Sequence, residues 1–227
     1  MKLCVALDLP TKEENLRLIR TLKNEDIWLK VGLRSFIRDG AALLREMKSI
    51  NPQCKIFLDL KIHDIPNTMA DAAESMVGLG VDMFNVHASS GEKAMKTVME
   101  RVNTFTNPPI VLAVTALTSF DNASFEAIYH TPIEQKAIDF AKDAYRAGID
   151  GVVCSVYESH SIKTHTQETF LTLTPGIRPF GEDSNDQERV ADLTMAKKEH
   201  SDFIVVGRPI YHSNDPLGVV KKIIEAI

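Results

Sequence analysis

Cysteine is scarce in this chain and follows no pairing pattern. Cys4, Cys54 and Cys154 are scattered and odd in number, with no Cys-x-x-Cys pair. Each lies in or beside an apolar run, which predicts reduced, mostly buried thiols. An excess of positive charge is missing too. A net charge of −5 over 227 residues argues against general binding to nucleic acid or to an anionic membrane. No apolar stretch approaches membrane length; the longest, 110–116, is far too short to span a bilayer. No Gly-rich dinucleotide fingerprint follows the first strand and no Walker pattern occurs, so nucleotide folds of those kinds lose weight. No His/Cys/carboxylate cluster has metal-ligand spacing, so no metal is expected. No signal-peptide pattern follows Met1, and the expectation is a cytoplasmic protein.

What is present is ordinary in bulk and ordered in detail. Charged residues at 25% and hydrophobic ones at 44% are usual for a globular chain. Short apolar runs at 3–7, 28–31, 55–61, 83–87, 110–115, 151–154, 170–174 and 203–206 read as strands. Between them lie helical patterns at 11–22, 41–47, 68–79, 91–102, 132–147, 158–164 and 188–198, and a last one follows Asn214, Asp215 and Pro216. Thr11 and Glu14 form a capping-box pattern ahead of Leu16, Ile19 and Leu22. Eight strand-helix units with no composition break imply a parallel sheet and a single domain over 1–227. Eight such units close into a (β/α)8 TIM barrel, with an open doubly wound sheet as the alternative.

The chemistry concentrates in residues 57–68, Phe-Leu-Asp-Leu-Lys-Ile-His-Asp-Ile-Pro-Asn-Thr. Strand alternation turns Asp59 and Lys61 to one side of the sheet. Opposite charges on an otherwise apolar strand are costly to bury without a use. Asp64 follows in the turn before a helix opened by Pro66. Taken alone, Asp-x-Lys also fits a structural ion pair, with Asp64 as a helix cap. In a barrel, however, the charged strand ends gather at one mouth: Asp8, Lys30, Asp59 and Lys61 from three consecutive strands. Lys30, Asp59, Lys61 and Asp64 would form an alternating chain of zero formal charge. A second cluster follows strands seven and eight. Thr174-Pro175-Gly176-Ile177-Arg178-Pro179 and Val206-Gly207-Arg208-Pro209 each join glycine to an arginine. Barrels commonly bind phosphate in these two loops, where glycine admits backbone N–H groups and arginine offers a planar fork.

Asp59-x-Lys61-x-x-Asp64 in its setting closely resembles the signature of the orotidine 5'-phosphate decarboxylase family, the last enzymes of UMP synthesis. The loops after strands seven and eight, with Asp186-Gln187, look like that family's phosphate motifs. The resemblance implies a carboxy-lyase that removes CO2 from C6 of orotidine 5'-monophosphate, without metal or cofactor. Lys61 would protonate C6, within a catalytic set of Lys30, Asp59, Lys61 and Asp64. Asp8 would hold the ribose and Thr118 the pyrimidine, with Ile65 also in the substrate site. Arg178, Gln187, Gly207 and Arg208 would bind the phosphate, under a segment, 180–186, that closes over it. The family also implies a homodimer in which Asp64 and Thr68 reach into the neighbouring site. His63 and His87 are read as structural, lining the site at most. Departures from the pattern are small: Ser90 and Met195 stand where such proteins more often have Gly and Pro.

Two rivals remain. A sugar-phosphate member of the same superfamily, such as a keto-gulonate phosphate decarboxylase or a hexulose phosphate synthase, shares the motif but uses Mg2+. Lys30 stands where such a metal would meet a repulsive cation. A catalytically silent nucleotide-binding protein would be expected to lose Lys61 or Asp59, and both are kept.

Overall fold

Every strand in this chain has two apolar faces to bury, and the fold gives each face its own partner. The computed structural model describes residues 1–181 and 189–227. Eight parallel strands close into a ring in chain order. They are β1 (Lys2–Ala6), β2 (Trp28–Gly32), β3 (Lys55–Ile62), β4 (Met83–His87), β5 (Ile110–Val114), β6 (Gly151–Val153), β7 (Leu171–Thr174) and β8 (Phe203–Val206). The ring shuts where β1 pairs with β8, Cys4 lying opposite Val205. That pairing realises the expected (β/α)8 barrel and excludes the open sheet.

Alternation along the strands builds two cores. Cys4, Trp28, Phe57, Met83, Leu112 and Phe203 fill the interior of the ring, where Trp28 meets Phe203 edge-on. Their neighbours in sequence, such as Val5, Leu29, Ile56 and Phe84, turn outward to the helices. The three cysteines are buried and unpaired, as expected.

The helices are α1 (Lys12–Leu22), α2 (Leu33–Ile50), α3 (Pro66–Gly78), α4 (Glu92–Val102), α5 (Asn122–Tyr129), α6 (Ile133–Arg146), α7 (Val156–His165), α8 (Leu193–Lys198), α9 (Arg208–Tyr211) and α10 (Pro216–Ala226). A 3-10 turn, Ala88–Ser90, follows β4. The Thr11–Glu14 capping box forms in full.

Four features depart from the sequence reading. Helix α2 starts at Leu33, well before 41, and bends at Gly40, where φ is 58°. Its N-cap, Gly32, offers no side chain, so no start signal is visible. The polar stretch after β5 contains α5, capped by Asp121, with Phe125 stacked on Tyr129. The four-residue α9 follows β8. Finally, α8 starts at Leu193 under an Asp192 cap rather than at 188, and residue 188 itself lies outside the described residues.

Candidate active site

Charged residues end the first three strands because the inward-facing positions there reach the mouth of the barrel. The inward register runs Cys4, Ala6 and then Asp8 from β1, Trp28 and then Lys30 on β2, and Phe57, Asp59 and Lys61 on β3. The carboxyl-terminal mouth opens into a cavity of about 510 Å³. On one side lie Asp8, Lys30, Asp59 and Lys61; on the other, β5 to β8 contribute Val114, Val153, Leu173 and Val205. One wall is charged and the opposite one is apolar. The apolar wall lowers the local dielectric, which strengthens each charge interaction across the cavity.

The charges form a continuous array. Lys30 Nζ lies 3.4 Å from Asp8 and 3.3 Å from Asp59 Oδ2. Lys61 Nζ lies 2.6 Å from Asp59 Oδ1. Asn85, fully buried on β4, donates to the same Oδ1 at 2.8 Å. Asp59 is only 9% exposed. Burial alone would favour its neutral acid. Lys30 and Lys61, with the hydrogen bonds from Lys61 and Asn85, outweigh burial and hold the Asp59 carboxyl down to about 2. Burial works against the Lys30 ammonium in turn, and Asp59 and Asp8 more than reverse that, so its pKa is raised. Both stay charged because each supplies the other's counter-charge.

The backbone around the array is unusual at one point. The β3–β4 register passes from Leu58 opposite Phe84 to Ile62 opposite Val86, a bulge in β3. Lys61 lies inside it with φ at 53°, the left-handed region. Its N–H donates to Asn85 Oδ1 at 2.8 Å. Both Asp59 and Lys61 therefore face the cavity, as simple alternation implies, although the strand between them is not regular.

Asp8 is held from behind. Asn15 and Ser35, both buried, bond each other, while Ser35 donates to Leu7 O at 2.6 Å and Asn15 accepts from Leu9 N–H. Arg34 donates to Asp8 O and also borders the cavity. Neither Arg34 nor Tyr211, which lines the cavity near Gly207, was singled out from sequence. Thr118 is buried and faces the cavity. Its carbonyl accepts from Arg189 N–H, and the Arg189 guanidinium, paired with buried Glu158, reaches Ala116 O and Leu117 O.

Arg178, Gly207 and Arg208 border the same cavity, in the loops after the seventh and eighth strands. Arg178 is itself buried, with its guanidinium donating to Ile177 O. Gln187, Asp186 and most of the expected closing segment lie outside the described residues. Three other candidates stand apart from the cavity of their own chain. Asp64, Ile65 and Thr68 are exposed, Ile65 at 67%. Among the described residues Asp64 makes no ion pair, and its carboxylate accepts only the N–H of Ile65. Nor does Asp64 cap α3, whose N-cap is Ile65. Within one chain the array thus runs Asp8–Lys30–Asp59–Lys61 and stops short of Asp64. His63 and His87 stack at 5.6 Å beside Lys61.

Fold and site together define a class: a (β/α)8-barrel enzyme with a buried lysine–aspartate array at its mouth and arginines after the seventh and eighth strands. A sequence model of the orotidine 5'-phosphate decarboxylase / HUMPS family matches residues 1–223, and the chain belongs to that family. It is 66% identical over 227 residues to the orotidine 5'-phosphate decarboxylase of Sulfurimonas denitrificans, covering 100% of both chains. It is 61% identical over 227 residues to that of Campylobacter jejuni, again covering 100% of both. The crystal structure of orotidine 5'-phosphate decarboxylase from Lactobacillus acidophilus superposes with a TM-score of 0.86 at 33% identity, covering 99% of this chain and 98% of that one.

Proposed function

We propose that Lys30, Asp59 and Lys61 carry out the family's reaction in this chain, decarboxylation of orotidine 5'-monophosphate to uridine 5'-monophosphate. The observation that carries this reading is the buried Asp59 carboxylate clamped between two ammonium groups at 2.6 and 3.3 Å on the cavity wall. Breaking the bond from C6 to the carboxylate releases CO2 and leaves an electron pair at C6, in the ring plane and out of conjugation. A fixed cation beside C6 stabilises that pair most, and Lys61 is placed to supply both the charge and the proton. The proton moves from Nζ to C6, and solvent restores the ammonium afterwards. Asp59 holds the Lys61 side chain in place before the step. Facing the substrate carboxylate, Asp59 also raises the energy of the bound substrate relative to the transition state.

Arg208, Arg178 and the backbone at Gly207 suit the phosphate, Asp8 the ribose hydroxyls and Thr118 the pyrimidine edge, and Gln187 is assigned to the phosphate by the family motif. The whole chain, 1–227, is taken as one catalytic domain. Lys30 stands between the two carboxylates that a divalent cation would need, which supports metal-free chemistry over the sugar-phosphate alternative.

We assign the working unit as a homodimer. Exposed Leu33 and Ile37 at the start of α2, and Ile65 ahead of α3, follow the neighbouring strands β2 and β3 at the same mouth. An apolar rim beside Asp64 and Thr68 suits burial against a second copy, which would bring those two side chains to the partner's cavity. In this reading the protein works in the cytoplasm on a free nucleotide, with no nucleic-acid or membrane partner; no described helix is long and apolar enough to cross a membrane.

The test follows orotidine 5'-monophosphate absorbance after exhaustive EDTA treatment. Wild type should remain fully active, while Lys61→Ala should lose turnover by several orders of magnitude yet keep its fold and its affinity for uridine 5'-monophosphate. Comparable turnover in folded Lys61→Ala would refute the assignment. Loss on chelation with recovery in Mg2+ would favour the sugar-phosphate alternative.

A further inference from the structure

Asn85 is a neutral side chain placed where the barrel wall changes from apolar to charged. It occupies the inward position of β4 above Met83, is completely buried, and is the polar interruption in Met83-Phe84-Asn85-Val86. A buried primary amide on an apolar strand is costly unless its donors and acceptors are used. Both of its recorded partners belong to the proposed reacting pair. Nδ2 donates to Asp59 Oδ1 at 2.8 Å, and Oδ1 accepts from the backbone N–H of Lys61 at 2.8 Å. The orientation of the amide is fixed by chemistry: an ionised carboxylate only accepts and a backbone N–H only donates.

The second contact explains the bulge. Between Leu58 and Ile62, β3 advances four residues while β4 advances two, from Phe84 to Val86. Residues 59 to 61 therefore face Asn85 alone. An excess of two residues preserves the inward–outward parity, so Asp59 and Lys61 both still face the cavity. The N–H of Lys61 is left without a regular ladder acceptor, and the Asn85 carbonyl takes that place. Lys61 is held at φ 53°, where a residue with a Cβ needs local support.

We propose that Asn85 is a positioning residue for the decarboxylation: one amide orients the Asp59 carboxylate and pins the Lys61 backbone, fixing the distance between carboxylate and ammonium. The inference rests on the assignment of Asp59 and Lys61 to the chemistry. Asp59 Oδ1 is shared between Lys61 and Asn85, which leaves Oδ2 turned to Lys30. Without the amide, Asp59 gains rotational freedom and Lys61 can relax toward ordinary strand geometry. Both changes draw the reacting pair out of register with C6, where misplacement on the order of 1 Å costs about 100-fold in rate.

The experiment compares wild type, Asn85→Ala, Asn85→Asp and Lys61→Ala for kcat, KM, affinity for uridine 5'-monophosphate and pH profile. Asn85→Ala should lower kcat about 10- to 100-fold while KM and nucleotide affinity stay within about threefold, because the phosphate loops are untouched. Asn85→Asp keeps the acceptor for Lys61 N–H but sets a second carboxyl against Asp59. A proton must then bridge the two, so kcat relative to wild type should recover as pH falls from 8 toward 5.5. A merely structural asparagine would lower thermal stability and nucleotide affinity together and give no such recovery. Folded Asn85→Ala with kcat within threefold of wild type overturns the proposal. Should that variant not fold, an Asn85→Asp profile parallel to wild type overturns it instead. Lys61→Ala separates the two levels: if it turns over normally, the underlying assignment fails. If it is inactive and the Asn85 variants behave as wild type, only the role of Asn85 falls.

Discussion

Asp59 shows how strongly a single residue's behaviour depends on its neighbours. Its carboxyl is held near 2, below the ordinary 3.8. The stability that this pairing adds is therefore present above the ordinary carboxylate range and is lost only as pH falls through about 4 toward 2. His87 works in the same direction for a different reason. Burial, then the neighbouring His63 and Lys61, push its imidazole down from 6.5 to about 4. The unfolded chain takes up a proton that the folded one refuses, so the native state loses stability as pH falls from about 6.5 toward 4. For a half-buried ring partly screened by solvent, the loss is on the order of 1–2 kcal/mol. Denaturant unfolding at pH 7 and pH 4.5 checks it: His87→Gln should lose less stability than wild type across that interval. Equal losses in the two proteins would assign the acid sensitivity to other groups.

At the scale of elements, the ends of β2 and β3 decide where the charges stand. Gly32 closes β2 with φ at −89°, so alanine would meet no backbone strain there. A Cβ at this position would nevertheless stand 3.0 Å from Lys30 Nζ and 3.2 Å from Asp8 Oδ1. Gly32→Ala should therefore leave the melting temperature within a few degrees of wild type and lower kcat/KM by about tenfold, because the ammonium must shift. Steady-state kinetics beside a thermal melt decides it; unchanged kcat/KM would mean that the position of Lys30 tolerates displacement. The same elements show what the sequence could reveal. Asp8, Lys30, Asp59 and Lys61 were legible because a charge in a short apolar strand breaks a simple pattern. Arg178 and Arg208 were legible through the loops that carry them, and Thr118 only through the family resemblance. Asn85 obeys the same rule, as one polar residue at the inward period of an apolar strand, yet it carries no charge and so attracts less notice. The bulge at Lys61 was hidden, since a two-residue excess preserves the very alternation that sequence reading tests. The first half of α2 was hidden for another reason: its capping position is a glycine.

At the scale of the whole molecule, one chain leaves its charge array open beyond Lys61, while Asp64 and Thr68 stand exposed on either side of the exposed Ile65 in sequence. If the chain works as the proposed homodimer and closes both sites reciprocally, two inactive chains should rescue each other. Mixing Lys61→Ala with Asp64→Ala and allowing verified subunit exchange should restore up to about a quarter of wild-type activity. Half of the dimers would be mixed, each with one intact site out of two. No recovery after exchange would assign Asp64 to its own chain, or to no chemistry at all. The closed ring also imposes an order of events on synthesis. Strand β1 leaves the ribosome about 200 residues ahead of its β8 neighbour, Lys2 pairing with Phe203. Until then one edge of the nascent sheet has no partner and needs shielding. Asp8 comes from just past the first strand and Arg208 from just past the last. On the proposed assignment, the ribose and phosphate ends of the pocket meet only when the seam shuts, so catalytic competence would be acquired at the final step of folding rather than accumulated along the way.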